Sequence, residues 1–167
     1  MIRLIAFDWG NTLMPDDPNS TTPMVEWPEL STMPGIIEAL QQLQPHYRLI
    51  IASNALASTV DQVWGALRRV NLHPYFETIL TAKAIGLSKP DPAYYQYIAN
   101  LCGGDPAEVV MVGDTYATDI LGAKRSGLRT VWYNAAAKTP PPDAPDAADV
   151  EIRDLLDLPD AIRALDS

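Results

Sequence analysis

Short apolar runs alternate along the chain with segments that repeat apolar residues at helical spacing. This alternation predicts βαβ units, in which helices cover both faces of a parallel sheet. We therefore expect a three-layer α/β/α sandwich with a mainly parallel sheet, formed by one domain over residues 1–167. The strand candidates are Ile2–Phe7, Arg48–Ala52, Val109–Val112 and Arg129–Tyr133, with Thr78–Leu80 as a weaker one and Val150–Ile152 as a late edge strand.

The segments between these runs show signals of helix starts and ends. One helix repeats apolar residues from Val60 to Val70, and Ser58 is its predicted N-cap residue. A second is expected to begin with Asp91 as N-cap and Pro92 as first helical residue. Two more are predicted, one opened by Pro34 and one around Ile120, Leu121 and Ala123 that ends near Gly127.

Two segments show no strong period. Residues 14–32 are rich in Pro, Asp, Asn, Ser and Thr, and they predict a long loop or minimal cap insertion, not a domain. A loop of this length is unusual enough in a compact domain to suggest a functional role. Residues 139–146 predict a proline-rich surface connector before the last strand.

Charge and composition exclude several classes of partner. The net charge of −9 and the lack of a basic patch argue against binding to nucleic acid or to an anionic membrane. No apolar run is long enough to span a bilayer, and Cys102 is the only cysteine, so we expect a cytoplasmic protein without an internal disulfide. A phosphorylated ligand stays compatible with the acidic charge, because a bound metal ion can dominate the local field.

Polar residues follow three of the predicted strands at the point where each ends. Asp8 follows the first, Ser53 and Asn54 the second, and Asp114 the fourth. Because the carboxyl ends of parallel strands share one edge of a sheet, we expect these groups to meet in one crevice. Asp119 follows five residues after Asp114, and Lys89 precedes a helix start, where Pro90 favours an extended backbone.

These residue types suit phosphoryl-transfer chemistry. Neighbouring carboxylates repel one another unless a cation neutralises them, and carboxylate oxygens are ligands that Mg²⁺ prefers. A carboxylate can also attack phosphorus, while a hydroxyl, backbone N–H groups and a lysine hold the phosphoryl oxygens. Taken singly, Ser53 or Asn54 is more typical of a helix cap, Lys89 of a surface lysine and Asp119 of a solvated acid. Their joint order along the chain favours a site.

Four segments in this order resemble the motifs of the haloacid dehalogenase superfamily of hydrolases. They are Phe7–Leu13, Ile50–Asn54, Gly86–Pro92 and Val110–Asp119, the last continuing through Gly122–Lys124. Pro74–Glu77 also resembles a family segment that precedes the third strand. The resemblance covers roughly residues 2–133 and implies the family's Rossmann-like fold without a large cap domain.

The resemblance also implies a role for each matched residue. Asp8 would be the nucleophile and a Mg²⁺ ligand, with the main-chain carbonyl of Gly10 and the carboxylate of Asp114 as further ligands. Lys89 would neutralise charge around Asp8, and Asp119 would support Lys89 or the water around the metal. Ser53 would bind the transferred phosphoryl group, with Asn54, Asn11 and Thr12 as further substrate-binding or supporting residues.

Gly10 departs from the pattern of the family's phosphatases. They usually carry an aspartate two residues after the nucleophile, as acid to the leaving group and base to water, and such a group contributes about 10² to 10⁴ in rate. Family dehalogenases also lack this acid, but they need no Mg²⁺, so the match at Asp114 disfavours that activity. Phosphonoacetaldehyde hydrolase lacks it too and shares a tryptophan after the nucleophile. It uses a lysine from a cap domain, whereas only about 25 residues here separate the first motif from the next helix.

The sequence thus predicts a Mg²⁺-dependent phosphatase, working through an aspartyl-phosphate at Asp8, that favours aryl or acyl over alkyl phosphates. The substrate would be a phosphorylated small molecule or macromolecule, and a homo-oligomer could cover the open site. The alternative is a catalytically degenerate protein that binds phosphate or metal as an interaction module. A plain flavodoxin-like nucleotide binder is disfavoured, because it leaves Lys89 and Asp114 unexplained.

Overall fold

The computed structural model describes residues 1–167 and contains a single six-stranded sheet. The strands are β1 Leu4–Phe7, β2 Arg48–Ser53, β3 Thr78–Thr81, β4 Val109–Gly113, β5 Arg129–Tyr133 and β6 Val150–Ile152. All pairings are parallel, and the strand order is β3-β2-β1-β4-β5-β6. The predicted fold class and all six strand candidates are confirmed, and the sheet is entirely, not only mainly, parallel.

Six α-helices connect or follow the strands. They are α1 Ile36–Leu43, α2 Val60–Arg69, α3 Ala82–Ile85, α4 Pro92–Asn100, α5 Gly122–Arg125 and α6 Leu158–Asp166. A π-helical segment, Tyr116–Leu121, leads directly into α5. The sequence patterns indicated neither α3 nor α6. None of these helices combines the length and the apolar character that crossing a membrane requires.

The alternating side chains of the strands produce the three layers. In β1, Ile5 and Phe7 pack in the core cluster that includes α1, α2 and α6, while Leu4 and Ala6 pack in the cluster that includes α4 and α5. Residues two apart in a strand point to the same face, and both faces here are apolar. The sequence therefore shows near-continuous apolar runs instead of a strict alternation.

The start of α2 differs from the prediction. Its N-cap residue is Thr59, not Ser58: the Thr59 hydroxyl accepts a hydrogen bond from the Gln62 backbone N–H at 3.2 Å. The Gln62 side chain in turn accepts the Thr59 N–H at 2.8 Å. Such a capping box needs Gln or Glu three residues after the cap, and only Thr59 has this spacing. Ser58 lies one residue earlier and is buried.

The other helix signals describe the structure closely. Asp91 caps α4 by accepting the Ala93 N–H at 2.9 Å, with Pro92 as the first helical residue. Gly127 follows α5 with φ 88°, a left-handed conformation that suits glycine at a helix end. Helix α1 begins two residues after Pro34, because Gly35 takes the N-cap position in a left-handed conformation.

Residues 14–32 form neither a sheet nor an α-helix and include one 3₁₀ turn, Met24–Glu26. The Arg69 guanidinium at the end of α2 donates hydrogen bonds to the carbonyls of Val25 at 2.8 Å, Trp27 at 2.6 Å and Pro28 at 3.2 Å. The segment is therefore a loop docked on α2. Residues 139–146 likewise contain only turns and irregular backbone between β5 and β6.

Candidate active site

Asp8 lies just beyond the central strand β1, where the chain leaves the sheet. Its N–H still donates to the Val112 carbonyl of β4 at 2.9 Å. β2 flanks β1 on one side and β4 on the other, and their carboxyl ends bring Ser53 and Asp114 to the same edge. This edge is the topological switch point of the sheet, where α/β proteins form their crevices. A cleft of roughly 520 Å³ opens there.

Lys89 connects two of the candidate acids. Its ammonium donates to Asp8 Oδ1 at 3.0 Å, to Asp119 Oδ1 at 2.6 Å and to the Ala52 carbonyl at 2.8 Å. An ammonium has three donors, so each of them has a partner. The Lys89 side chain is 1 % exposed, which means that this is a buried charge, not a surface lysine. Burial alone would lower the pKa of Lys89, but the carboxylates of Asp119 and Asp8 outweigh it and hold the pKa above its ordinary value.

Asp119 is buried beneath Asp8 and forms the floor of the site. One carboxylate oxygen accepts from Lys89, and the other accepts the Thr115 N–H at 3.0 Å. The first turn of the π-helical segment fixes this geometry, since the Asp119 N–H donates to the Thr115 carbonyl at 2.8 Å. Both oxygens of Asp119 are thus engaged within the protein, one by Lys89 and the other by the Thr115 N–H.

Asp114 faces the cleft opposite Asp8. The Thr12 hydroxyl, which is fully buried, donates to Asp114 Oδ1 at 3.3 Å. The indole N–H of Trp132 donates to the Asp114 main-chain carbonyl at 3.1 Å. Partial burial and the neighbouring Asp8 carboxylate raise the pKa of Asp114 to about 6. Lys89 contacts Asp8 and Asp119 but not Asp114. Asp114 therefore lacks a cation of its own.

The acidic residues fit a divalent metal ion. Oxygens of Asp8, Asp114 and Asp119 lie within 4.8 Å of one another. Both oxygens of Asp119 already accept hydrogen bonds, from the Lys89 ammonium and from the Thr115 N–H. The carboxylates that remain available as metal ligands are therefore those of Asp8 and Asp114. One or two carboxylates with water molecules are the donor set that Mg²⁺ prefers, and a cation would relieve the repulsion that raises the pKa of Asp114.

Asn54 contacts Lys89 through its amide. Its Nδ2 donates to the Lys89 carbonyl and its Oδ1 accepts the Lys89 N–H, both at 2.8 Å. This pair fixes the backbone that presents Lys89. Ser53 is buried at the end of β2, where its hydroxyl accepts the Ala55 N–H at 3.1 Å and still has a proton to donate. Direct contact of either side chain with a substrate stays a prediction.

The structure brings together every residue predicted for the site. Asp8, Gly10, Asn11, Ser53, Asn54, Lys89 and Asp114 line the cleft, while Thr12 and Asp119 are buried behind it. Two residues next to the cleft were not predicted from the sequence. Trp132 holds Asp114 through its main chain, which no side-chain pattern reveals. Asp16 lines the cleft from the loop, and only the missing acid at Gly10 could have directed attention to it.

Asp16 is placed by Asn11, which has a left-handed φ of 58°. The Asn11 side-chain oxygen accepts the Asp16 N–H at 3.0 Å, and the Asn11 N–H donates to the Met14 carbonyl at 2.6 Å. The chain thus turns back after Gly10 and returns Asp16 to the cleft. Asp16 keeps access to solvent, but the surrounding cleft removes part of its hydration and so raises its pKa, and the negative charge of Asp8 adds to the effect.

The sequence resembles that of known phosphate-ester hydrolases. A pyrimidine 5'-nucleotidase, YjjG of Escherichia coli (strain K12), is 33% identical over 65% of this chain and 48% of its own length. A glyceraldehyde 3-phosphate phosphatase of Methanopyrus kandleri is 33% identical over 81% of this chain and 58% of its own length. The chain therefore spans about half the length of these relatives.

A solved structure matches over the whole chain. An uncharacterized protein from Listeria monocytogenes serotype 4b superimposes with a TM-score of 0.84 at 27% identity, covering 99% of both chains. The model of the haloacid dehalogenase-like hydrolases matches residues 23–127, which include Lys89, Asp114 and Asp119. This match covers more than half of the sequence, and the chain belongs to the haloacid dehalogenase-like hydrolase family.

Proposed function

We propose that this protein is a Mg²⁺-dependent phosphatase that hydrolyses phosphate monoesters through an aspartyl-phosphate at Asp8. One observation supports this most directly: the Asp8 carboxylate is held by a buried lysine at 3.0 Å at the edge of an open cleft. The names of the two curated relatives, a nucleotidase and a phosphatase, point to the same chemistry. We extend the phosphate-ester hydrolysis that these names describe for the relatives to the present chain.

In the first step, an Asp8 oxygen would bond to phosphorus as the bond between phosphorus and the ester oxygen breaks. Lys89 keeps the Asp8 carboxylate in place and offsets part of the negative charge that gathers there. The Ser53 hydroxyl can donate to a phosphoryl oxygen. Water would then attack the phosphorus, releasing phosphate and restoring the Asp8 carboxylate. Mg²⁺, held by Asp8, Asp114 and the Gly10 carbonyl, would supply further neutralisation of the phosphoryl oxygens when bound.

The cleft favours a substrate with one phosphate group on an uncharged body. Lys89 is the only lysine or arginine that lines it, and all three Lys89 donors are engaged. No cation is left to bind a second phosphate or a carboxylate. Trp27 and Met24 add apolar surface on the loop side of the cleft. We therefore expect hydrolysis of simple monophosphates in preference to diphosphates or carboxylated phosphate esters.

The test compares the wild type with Asp8→Asn on a panel of phosphate monoesters, with Mg²⁺ and with EDTA. Wild-type turnover that requires Mg²⁺ and is abolished by Asp8→Asn, together with a phosphoenzyme trapped by acid quench, is the expected result. Asp143→Asn, an exposed carboxylate outside the cleft, is the matched control. A wild type that hydrolyses none of the esters but still binds beryllofluoride with Mg²⁺ would favour the alternative, a phosphate-binding module, which Gly10 motivates.

A further inference from the structure

Asp16 fills the space that a side chain on residue 10 would occupy. The Gly10 backbone is not left-handed, so it does not require glycine. A β-carbon placed on Gly10 would lie 2.8 Å from Asp16 Oδ2 and 2.9 Å from Asp16 Cβ. What excludes a larger residue at position 10 is thus the Asp16 side chain itself. A carboxylate from the loop stands where the family's phosphatases have one on the first motif.

The turn after Gly10 builds this placement. Asn11 accepts the Asp16 N–H, and the backbones of Gly10 and Met14 form a parallel bridge. Asp16 and Asp8 line the same cleft. Asp16 is also exposed, so a ligand and water can reach its carboxylate. A group that exchanges protons with a ligand and with water needs such access from the cleft and from solvent.

We propose that Asp16 is the general acid and base of the hydrolysis at Asp8, replacing in space the carboxyl group that Gly10 lacks. This inference rests on the proposed function. As the ester P–O bond breaks, protonated Asp16 gives its proton to the leaving oxygen, which departs as an alcohol. Asp16 carboxylate then takes a proton from water as the water oxygen bonds to phosphorus and the Asp8–phosphorus bond breaks. Asp16 ends the cycle protonated, as it began.

If Asp16 supplies the proton, the preference for aryl or acyl over alkyl phosphates that we expected from the sequence should be lost. With a working acid, alkyl phosphates should be hydrolysed along with aryl phosphates, because a poor leaving group receives a proton. The close contact between Gly10 and Asp16 also means that carboxylates at positions 10 and 16 exclude each other. Gly10→Asp alone would force two side chains into one space, whereas Gly10→Asp combined with Asp16→Gly moves the carboxylate to the first motif without overlap.

The experiment compares the wild type with three variants on propyl phosphate and on 4-nitrophenyl phosphate, and it measures both kcat and the rate at which the leaving group is released in the first step. Asp16→Asn is expected to slow the first step with propyl phosphate by about 10² to 10⁴. The first step with the nitrophenyl ester should slow much less, because its leaving group needs no proton. Quenched samples of this variant with the nitrophenyl ester should accumulate phosphoenzyme, since the base is gone. Gly10→Asp/Asp16→Gly should regain propyl phosphate turnover relative to Asp16→Asn. Asp143→Asn removes the same charge outside the cleft and should leave both rates unchanged.

Mg²⁺ affinity provides a readout independent of turnover. It should be the same in the wild type and Asp16→Asn, because Asp16 acts on protons. Weakened Mg²⁺ binding, or an equal fractional loss of the first-step rate on both esters, overturns the proposal, as does an Asp16→Asn enzyme that retains full activity. An enzyme that needs Asp8 but not Asp16 refutes this inference alone. A wild type inert toward both esters refutes the proposed function, and the role of Asp16 with it.

Discussion

Asp119 lies so close to Gly113 that a β-carbon on residue 113 would overlap a carboxylate oxygen of Asp119. Atoms cannot approach so closely, and the buried Asp119 has no room to move aside. Glycine at the end of β4 is therefore required by the acid that supports Lys89, while the backbone there is not left-handed. Gly113 and Asp119 both belong to the fourth motif, and the ion pair between Asp119 and Lys89 links this motif to the third.

Gly113→Ala should displace Asp119 and break its ion pair with Lys89. Breaking one partner of a buried pair typically costs about 3–5 kcal/mol, so we expect a loss of this order in the free energy of unfolding, measured by urea denaturation. A double-mutant cycle with Asp119→Asn locates the effect. If the overlap with Asp119 is the cause, the double variant will lose much less free energy of unfolding than the sum of the two single losses. Additive losses would show that Gly113 acts elsewhere.

Asn54→Ala should lower kcat more than it affects substrate binding. The substitution removes both hydrogen bonds to the Lys89 backbone, each worth about 1 kcal/mol of stability, and frees the turn that presents the ammonium. Steady-state kinetics on a monophosphate ester separate the two effects. Asn100→Ala, whose amide contacts only Gln96 on the helix surface, is the control. A rise in KM with kcat unchanged would instead support the substrate-binding role predicted from the sequence.

Mg²⁺ should stabilise the protein more at about pH 8 than at about pH 5. The pKa of Asp114 is about 6 in the folded protein, above its ordinary value of 3.8, so the folded state holds this proton more firmly than the unfolded chain. Without metal, the stability from this group is present below the ordinary pKa and is lost as the pH rises through about 6. Mg²⁺ binds the ionised carboxylate and therefore competes with the proton.

Thermal unfolding with and without Mg²⁺ at the two pH values checks this expectation. Asp114→Asn should remove most of the Mg²⁺-induced rise in melting temperature and the difference in this rise between the two pH values. Asp143→Asn should change neither. Equal Mg²⁺ shifts at both pH values in the wild type would contradict the role of Asp114 as a ligand.

The fold was predictable because the core strands are buried on both faces and read as apolar runs, with glycine, proline and capping residues between them. The strand tips were predictable for the same reason, since a parallel sheet places Asp8, Ser53 and Asp114 on one edge. The place of Asp16 was not, because it depends on the path of an aperiodic loop, set by Asn11 and by the empty space at Gly10. The short α3 carries too few residues to show a period.

Arg69→Gln should loosen the loop of residues 14–32 and raise KM. The Arg69 guanidinium donates to three carbonyls between Val25 and Pro28, and Trp27 in this stretch lines the cleft. Glutamine cannot reach all three acceptors, so the loop should open more often while the core stays intact. Hydrogen exchange should therefore quicken at residues 24–28 with only a small change in melting temperature. Arg68→Gln, on the neighbouring exposed residue, is the control, and a faster exchange without a change in KM would show that the loop does not contact the substrate.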